Sequence, residues 1–218
     1  MKKALFILLL TALVPVGPSF AYEDGDTQFW NTNVEEIKIS EDWKAAAEQE
    51  FRWGDNVSEF FYQHYDLGLV YNLNKHWNLG FGFRYIRTKS NGDWTAENEP
   101  YLTAAVSGEA AGFKIEDRSR LEYQQFEGRQ DNGRYRNKLT VKLPWKFTRM
   151  EIQPFLSEEI FLRFVKEDPF NQNRVSSGLG MKITENFKSE IYYMLQSSKG
   201  SAGWTDANVL GAKFKLSF

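Results

Sequence analysis

Ionisable side chains recur at every second position in several short stretches of this chain. Glu48, Glu50 and Arg52 form one such set, Arg118, Arg120 and Glu122 a second, and Arg134, Arg136 and Lys138 a third, with Arg84 inside a further alternating stretch. Residues two apart on a strand point to the same side, so each set is a charged face. Two chemistries are open to it. Opposite charges on neighbouring strands can satisfy one another, at ~0.2–1 kcal/mol for each cross-strand pair. Alternatively, the basic wall Arg118, Arg120, Arg134 and Arg136 can receive an anion or a phosphorylated ligand, because a guanidinium fork donates two parallel hydrogen bonds. A hairpin closed by residues 127–133 would set Glu122 near Lys138 and Gln124 near Arg136.

Catalysis has few candidates. Only two histidines exist, His64 and His76, and cysteine is absent. His64 has Asp66 two residues on, and Ser58, in the preceding short loop, is the nearest serine hydroxyl. A nucleophile, base and orienter need successive hydrogen bonds. Residues i and i+2 of a strand lie about 6.5–7 Å apart, so His64 and Asp66 meet only if their side chains lean together. His76, beside Trp77, reads as a solvated turn residue. The histidine count and the lack of thiolates leave no zinc set, and no cofactor is implied. Glu97, Glu99 and Asp168 are oxygen ligands of a kind calcium accepts, without a diagnostic spacing. Trp94 and Trp204, in polar segments, read either as glycan contacts or as anchors of their loops to a rim.

The elements that must carry these faces alternate with a period of two. In the last segment Leu210, Ala212, Phe214, Leu216 and Phe218 oppose Val209, Gly211, Lys213, Lys215 and Ser217. Similar patterns run through 65–73, 77–88, 134–143, 174–183 and 187–196, and in diluted form through 99–107, 112–125 and 150–164. With 27–39 and 42–53 that makes eleven candidates. Single-chain bacterial barrels normally have an even number, so ten or twelve strands are expected. Either 27–39 joins the wall in an unusual way, or Asp42 to Phe51 is helical, as Ala45-Ala46-Ala47 would permit, or a strand is missed. The expected fold is all-β: an antiparallel transmembrane β-barrel with short periplasmic turns and longer extracellular loops, such as Lys89 to Asn98 and Ser197 to Asp206.

The N-terminus supplies the compartment. A basic start, an apolar run from Ala4 to Val14, the breakers Pro15, Gly17 and Pro18, and the small-x-small site Ser19-Phe20-Ala21 have the layout of a secretory signal peptide. Residues 1–21 are then removed near Ala21 and 22–218 form the barrel. The formal charge of -2 is too mildly acidic for a nucleic-acid partner. Aromatics at 16% beside charged residues at 26% suit strands with one greasy and one ionic face. The aromatics Trp43, Tyr71, Trp77, Trp145, Phe187 and Phe218 read as an interfacial girdle.

The order of motifs then carries a resemblance. QFWNTNV and EDWKAAAEQEFRWGD precede YDLGLVYNLNKHWNLGFGFRY; ENEPYL, IEDRSRLEYQQFE, RYRNKLTV, QPFLSEEIFL, NRVSSGLGMKI and a Phe-terminated strand follow. This series resembles the bacterial outer-membrane family called domain of unknown function 2490, over nearly the whole mature chain, with Pro100 as a departure. The resemblance implies a barrel and transfers no catalytic residues. The expected location is the outer membrane of a Gram-negative bacterium. Expected partners are its lipid and lipopolysaccharide, and the barrel-assembly machinery through the strand ending at Phe218. The expected role is non-enzymatic: envelope structure, or a narrow passage for small solutes, anions among them, through a charged lumen. A lipid- or lipopolysaccharide-modifying hydrolase using His64 is the alternative. A soluble ligand-binding barrel, with the aromatic face inward, is a third reading.

Overall fold

The structure is a computed structural model that describes residues 24–90, 92–164, 169–200 and 203–218; the expected signal segment and Asp168 lie outside them. Eleven strands follow one another: β1 (Asp26–Lys38), β2 (Trp43–Gly54), β3 (Glu59–Asn72), β4 (Trp77–Ser90), β5 (Asp93–Ala110), β6 (Phe113–Phe126), β7 (Asn132–Lys142), β8 (Gln153–Arg163), β9 (Phe170–Lys182), β10 (Phe187–Lys199) and β11 (Trp204–Ser217). Each pairs antiparallel with its sequence neighbours, and β1 closes the ring against β11. The all-β barrel expected from the alternation is therefore what forms.

Its count and closure differ from expectation. Among the described residues there are eleven strands, not ten or twelve, and 27–39 is a full member of the wall. With an odd number, the first and last strands run the same way, so β1 and β11 pair in parallel, from Asp26↔Ala207 to Glu36↔Ser217. The Ala45–Ala47 stretch is strand rather than helix. A helix there would leave the edges of β1 and β3 unpaired, whereas as a strand it bonds to both.

Among the described residues the expected contrast between short turns and long loops is also absent. Most of Lys89 to Asn98 belongs to β4 and β5, which stay paired out to Ser90↔Asp93. Likewise β10 and β11 stay paired out to Lys199↔Trp204. Trp94 and Trp204 stand on strands, packed on Phe60 at 5.5 Å and Phe170 at 5.4 Å, as rim anchors. The long connection is 143–152, at the opposite end. Between β6 and β7 the register is tighter than expected: Glu122 faces Arg134 and Gln124 faces Asn132, not Lys138 and Arg136. Gly128, at φ 75°, bends the chain, and Asp131 accepts from the Phe126 N–H at 3.2 Å. Such a left-handed position comes without a Cβ penalty only at glycine.

The two faces of the wall separate cleanly. Every strand exposes at least one large apolar side chain, from Ile37 on β1 and Leu67 on β3 through Phe81 and Phe83 on β4 to Leu210 and Phe214 on β11. The buried positions are instead rich in Glu, Arg, Gln, Ser and Asp. A thirteen-residue strand such as β10, tilted at about 40°, spans about 33 Å along the barrel axis, enough for the ~25 Å apolar band of an outer-membrane wall. Where a ring must cross the interior, a glycine makes room: a Cβ at Gly211 would lie 2.0 Å from Cζ of Tyr192.

Candidate functional site: the ionic lumen

The inward positions of successive strands build one connected network. On β1 and β2, the Thr32 hydroxyl donates to Glu50 at 2.8 Å, and Glu50 pairs with Arg52 at 2.5 Å. The Arg52 guanidinium is held between two rings, 3.6 Å from the Trp30 centroid and 3.8 Å from that of Tyr62. Trp30 in turn donates to Gln28 at 2.9 Å, and Gln28 to Asp26 at 3.0 Å.

Across β3, β4 and β5, Arg84 bridges Asp66 at 2.9 Å and Glu99 at 3.3 Å, and the Tyr101 hydroxyl donates to Asp66 at 2.6 Å. Glu99 takes a second guanidinium, Arg134, at 2.6 Å. Glu122 binds Arg134 closely and Arg136 at 2.9 Å. Glu159 on β8 then collects Arg136 at 2.8 Å, Arg118 at 3.2 Å and Arg174 at 3.5 Å. Arg174 closes the circuit by donating to Gln196 on β10 at 2.9 Å and lying 4.9 Å from the Trp30 ring. Phe161, at the middle of this belt, is approached by Arg134, Arg136 and Arg174 at 5.7, 4.7 and 4.7 Å. A buried charge is tolerable only when paired and hydrogen-bonded, and here Asp66, Glu99, Glu122 and Glu159 each serve two or more cations.

The charged residues picked from the sequence thus meet inside the barrel: Glu48, Glu50, Arg52, Arg84, Arg118, Arg120, Glu122, Arg134, Arg136 and Lys138 all line its cavities or join this network. The expected basic wall does not survive as such. Arg134 and Arg136 are engaged by Glu99, Glu122 and Glu159. Three members that the sequence did not single out for the lumen, Asp66, Glu159 and Arg174, each bridge two or more partners in the network, and Glu99 accepts from two guanidiniums.

The weak catalytic set is not brought together. His64 is 2% exposed, with Nδ1 3.0 Å from the Tyr62 hydroxyl and Nε2 3.2 Å from Glu48. Asp66 faces Arg84 and Tyr101, and Ser58 sits in the β2–β3 turn donating to Asp55 at 2.6 Å and 2.9 Å. Neither nitrogen of His64 reaches Ser58 or Asp66. His76 lies in the β3–β4 turn, against the Ser107 carbonyl at 2.9 Å. Among the described residues no group of His, Cys, Asp and Glu side chains is placed to hold a metal ion.

The interior is graded from end to end. At the Phe218 end it opens into a cavity of about 870 Å³, which narrows to one of about 290 Å³ at the ionic belt. From the belt toward Asp26, inward side chains lose contact with water: Glu99 and Phe161 within the belt are 0% and 1% exposed, and Gln28 and Gln124 beyond it 1% and 2%. An open pore would leave them wet. Among the described residues the lumen is a cup, its Asp26 end filled by packed side chains.

Neither the curated proteins nor the solved structures offer a match to this sequence. A family model does match, over residues 27–207, and its description is "Protein of unknown function (DUF2490)". That span runs from the start of β1 into β11 and takes in every member of the belt: the chain belongs to the DUF2490 family.

Proposed function

We propose that this chain is a non-enzymatic β-barrel of a Gram-negative outer membrane, serving the envelope as a closed element rather than as an open passage. One observation carries the reading. Every strand turns large apolar side chains outward, while charge fills an interior whose larger cavity lies at one end. In water such an exterior would be an aggregation liability far beyond the few hundred Å² of apolar patch usual for a soluble protein. In a bilayer it is the required lipid face, and the closed ring leaves no backbone donor unpaired at an edge. The inverted arrangement, aromatic face inward, is not the one that forms.

The seam supports the same reading. Phe218 donates its N–H to Glu36 at 2.9 Å and accepts from Lys38 at 3.0 Å, so the C-terminal residue is woven into the closing pair. A last strand presented to an assembly machinery would have to release and then recapture β1. In this orientation the Phe218 end faces the periplasm, and Asp26 emerges at the cell surface. The reading is tested by density fractionation of cell envelopes followed by recording in planar bilayers. The protein should co-sediment with outer membrane and give no steady conductance. Recovery in the aqueous fraction, or a persistent open channel, contradicts it.

A further inference from the structure

The ionic belt does not balance. Glu159 is the carboxylate that Arg118, Arg136 and Arg174 all share, and Lys138 faces it across β7 and β8 as well. Lys138 stands directly opposite Arg118 on β6, two like charges in one cross-strand pair. Such a pair is unfavourable on its own. Lys138 has no carboxylate within ion-pair distance among the described residues. Arg120, one step along the same face of β6, has a side chain 9% exposed. Its nearest carboxylate oxygens, on Asp66 and Glu122, lie at 3.8 and 3.9 Å, and its Nε and Nη1 have no hydrogen-bond partner in the protein. The Tyr101 ring, 4.0 Å from the Arg120 guanidinium, holds that side chain in place.

These three cations sit at the floor of the larger cavity, where ten lysine and arginine side chains are set against six carboxylates. From there we infer that the cup is a binding site for a small phosphorylated molecule, with Arg118, Arg120 and Lys138 as its anion receptor. Two adjacent guanidiniums and an ammonium match a phosphoryl group: the forks donate paired hydrogen bonds, and the ammonium adds a point charge. A dianion there would relieve the repulsion between Arg118 and Lys138 and supply the acceptors Arg120 lacks. About 870 Å³ lies within the range that holds a ligand of sugar-phosphate size. The wall is closed all round, so the ligand enters from the Phe218 end in solution, not as the headgroup of a lipid still in its bilayer.

The test is calorimetric titration of the full mature chain in a non-ionic detergent, with inorganic phosphate, glucose 6-phosphate and glucose as probes. Saturable one-to-one binding of the two phosphate compounds and none of glucose is expected. Arg120→Gln and Lys138→Gln should each weaken that binding at least tenfold, while Lys89→Gln, at the far rim, should leave it unchanged. Heat-modifiable gel migration confirms that each variant is folded, and if Arg120→Gln fails to fold, Lys138→Gln alone decides. Absence of saturable phosphate binding overturns the inference. So does undiminished binding by a folded variant, or equal binding of glucose.

Discussion

Neutralising Glu122 should cost this barrel more than any rim charge. Its side chain is 0% exposed and meets Arg134 and Arg136 directly, with Arg120 at 3.9 Å. Removing one partner of a buried pair typically destabilises by ~3–5 kcal/mol, because the other charge stays buried and unpaired. Arg134 keeps Glu99 at 2.6 Å and Arg136 keeps Glu159 at 2.8 Å, which places Glu122→Gln at the low end, about 3 kcal/mol. By contrast, Glu59→Gln removes the partly exposed partner of Lys89 at the rim and should cost no more than about 1 kcal/mol. Reversible urea unfolding in lipid vesicles, followed through the seven tryptophans, measures both. The double variant Glu122→Gln, Arg134→Gln restores neutrality and should lose about 1 kcal/mol less than the sum of its single changes. A Glu122→Gln protein within about 0.5 kcal/mol of the parent would refute the view that the belt is dry and tightly coupled.

Further outcomes follow from the same geometry. Asn31 and Ala212 are parallel Cα partners on the outer face, so Asn31→Cys with Ala212→Cys should cross-link on oxidation, whereas Asn31→Cys with Leu216→Cys should not. Gly211→Ala drives a methyl into the Tyr192 ring and should destabilise by ~1–3 kcal/mol in the same urea assay. A cysteine at Gln130 should react with a membrane-impermeant maleimide on intact cells, and one at Lys75, at the opposite end of the barrel, should not. His64→Ala should leave the lipid and lipopolysaccharide profile of cells unchanged, because neither Ser58 nor Asp66 reaches His64; an altered profile would revive the hydrolase alternative.

The period-two alternation made most of the wall legible, because each strand separates a lipid-like face from an ionic one. β8 shows where the pattern runs out. Phe155 and Phe161 point inward while Leu156, Ile160 and Leu162 point outward, so QPFLSEEIFL carries apolar residues on both faces around two adjacent glutamates, and the inward role of Glu159 is masked. Strand ends were hard to read for another reason: Ser90, Trp94, Thr95 and Thr205 sit among loop-like glycine, asparagine and serine, and only tertiary pairing shows that they extend the wall. The parallel closure leaves no local mark on β1. It follows from the parity of the whole count, which no single segment carries. Partner choice within the lumen was equally hidden, since a four-residue shift in the β6–β7 register exchanges Arg134 for Lys138 opposite Glu122.

The absence of cysteine allows one label at one position, and a fluorophore placed in turn at residues 190–196 of β10 tests the orientation of the wall most directly. With quenchers fixed on lipid tails, labels at 191, 193 and 195 should be quenched strongly and those at 192, 194 and 196 weakly. An inverted alternation, or none, would contradict an ionic interior wrapped in a lipid-facing apolar wall.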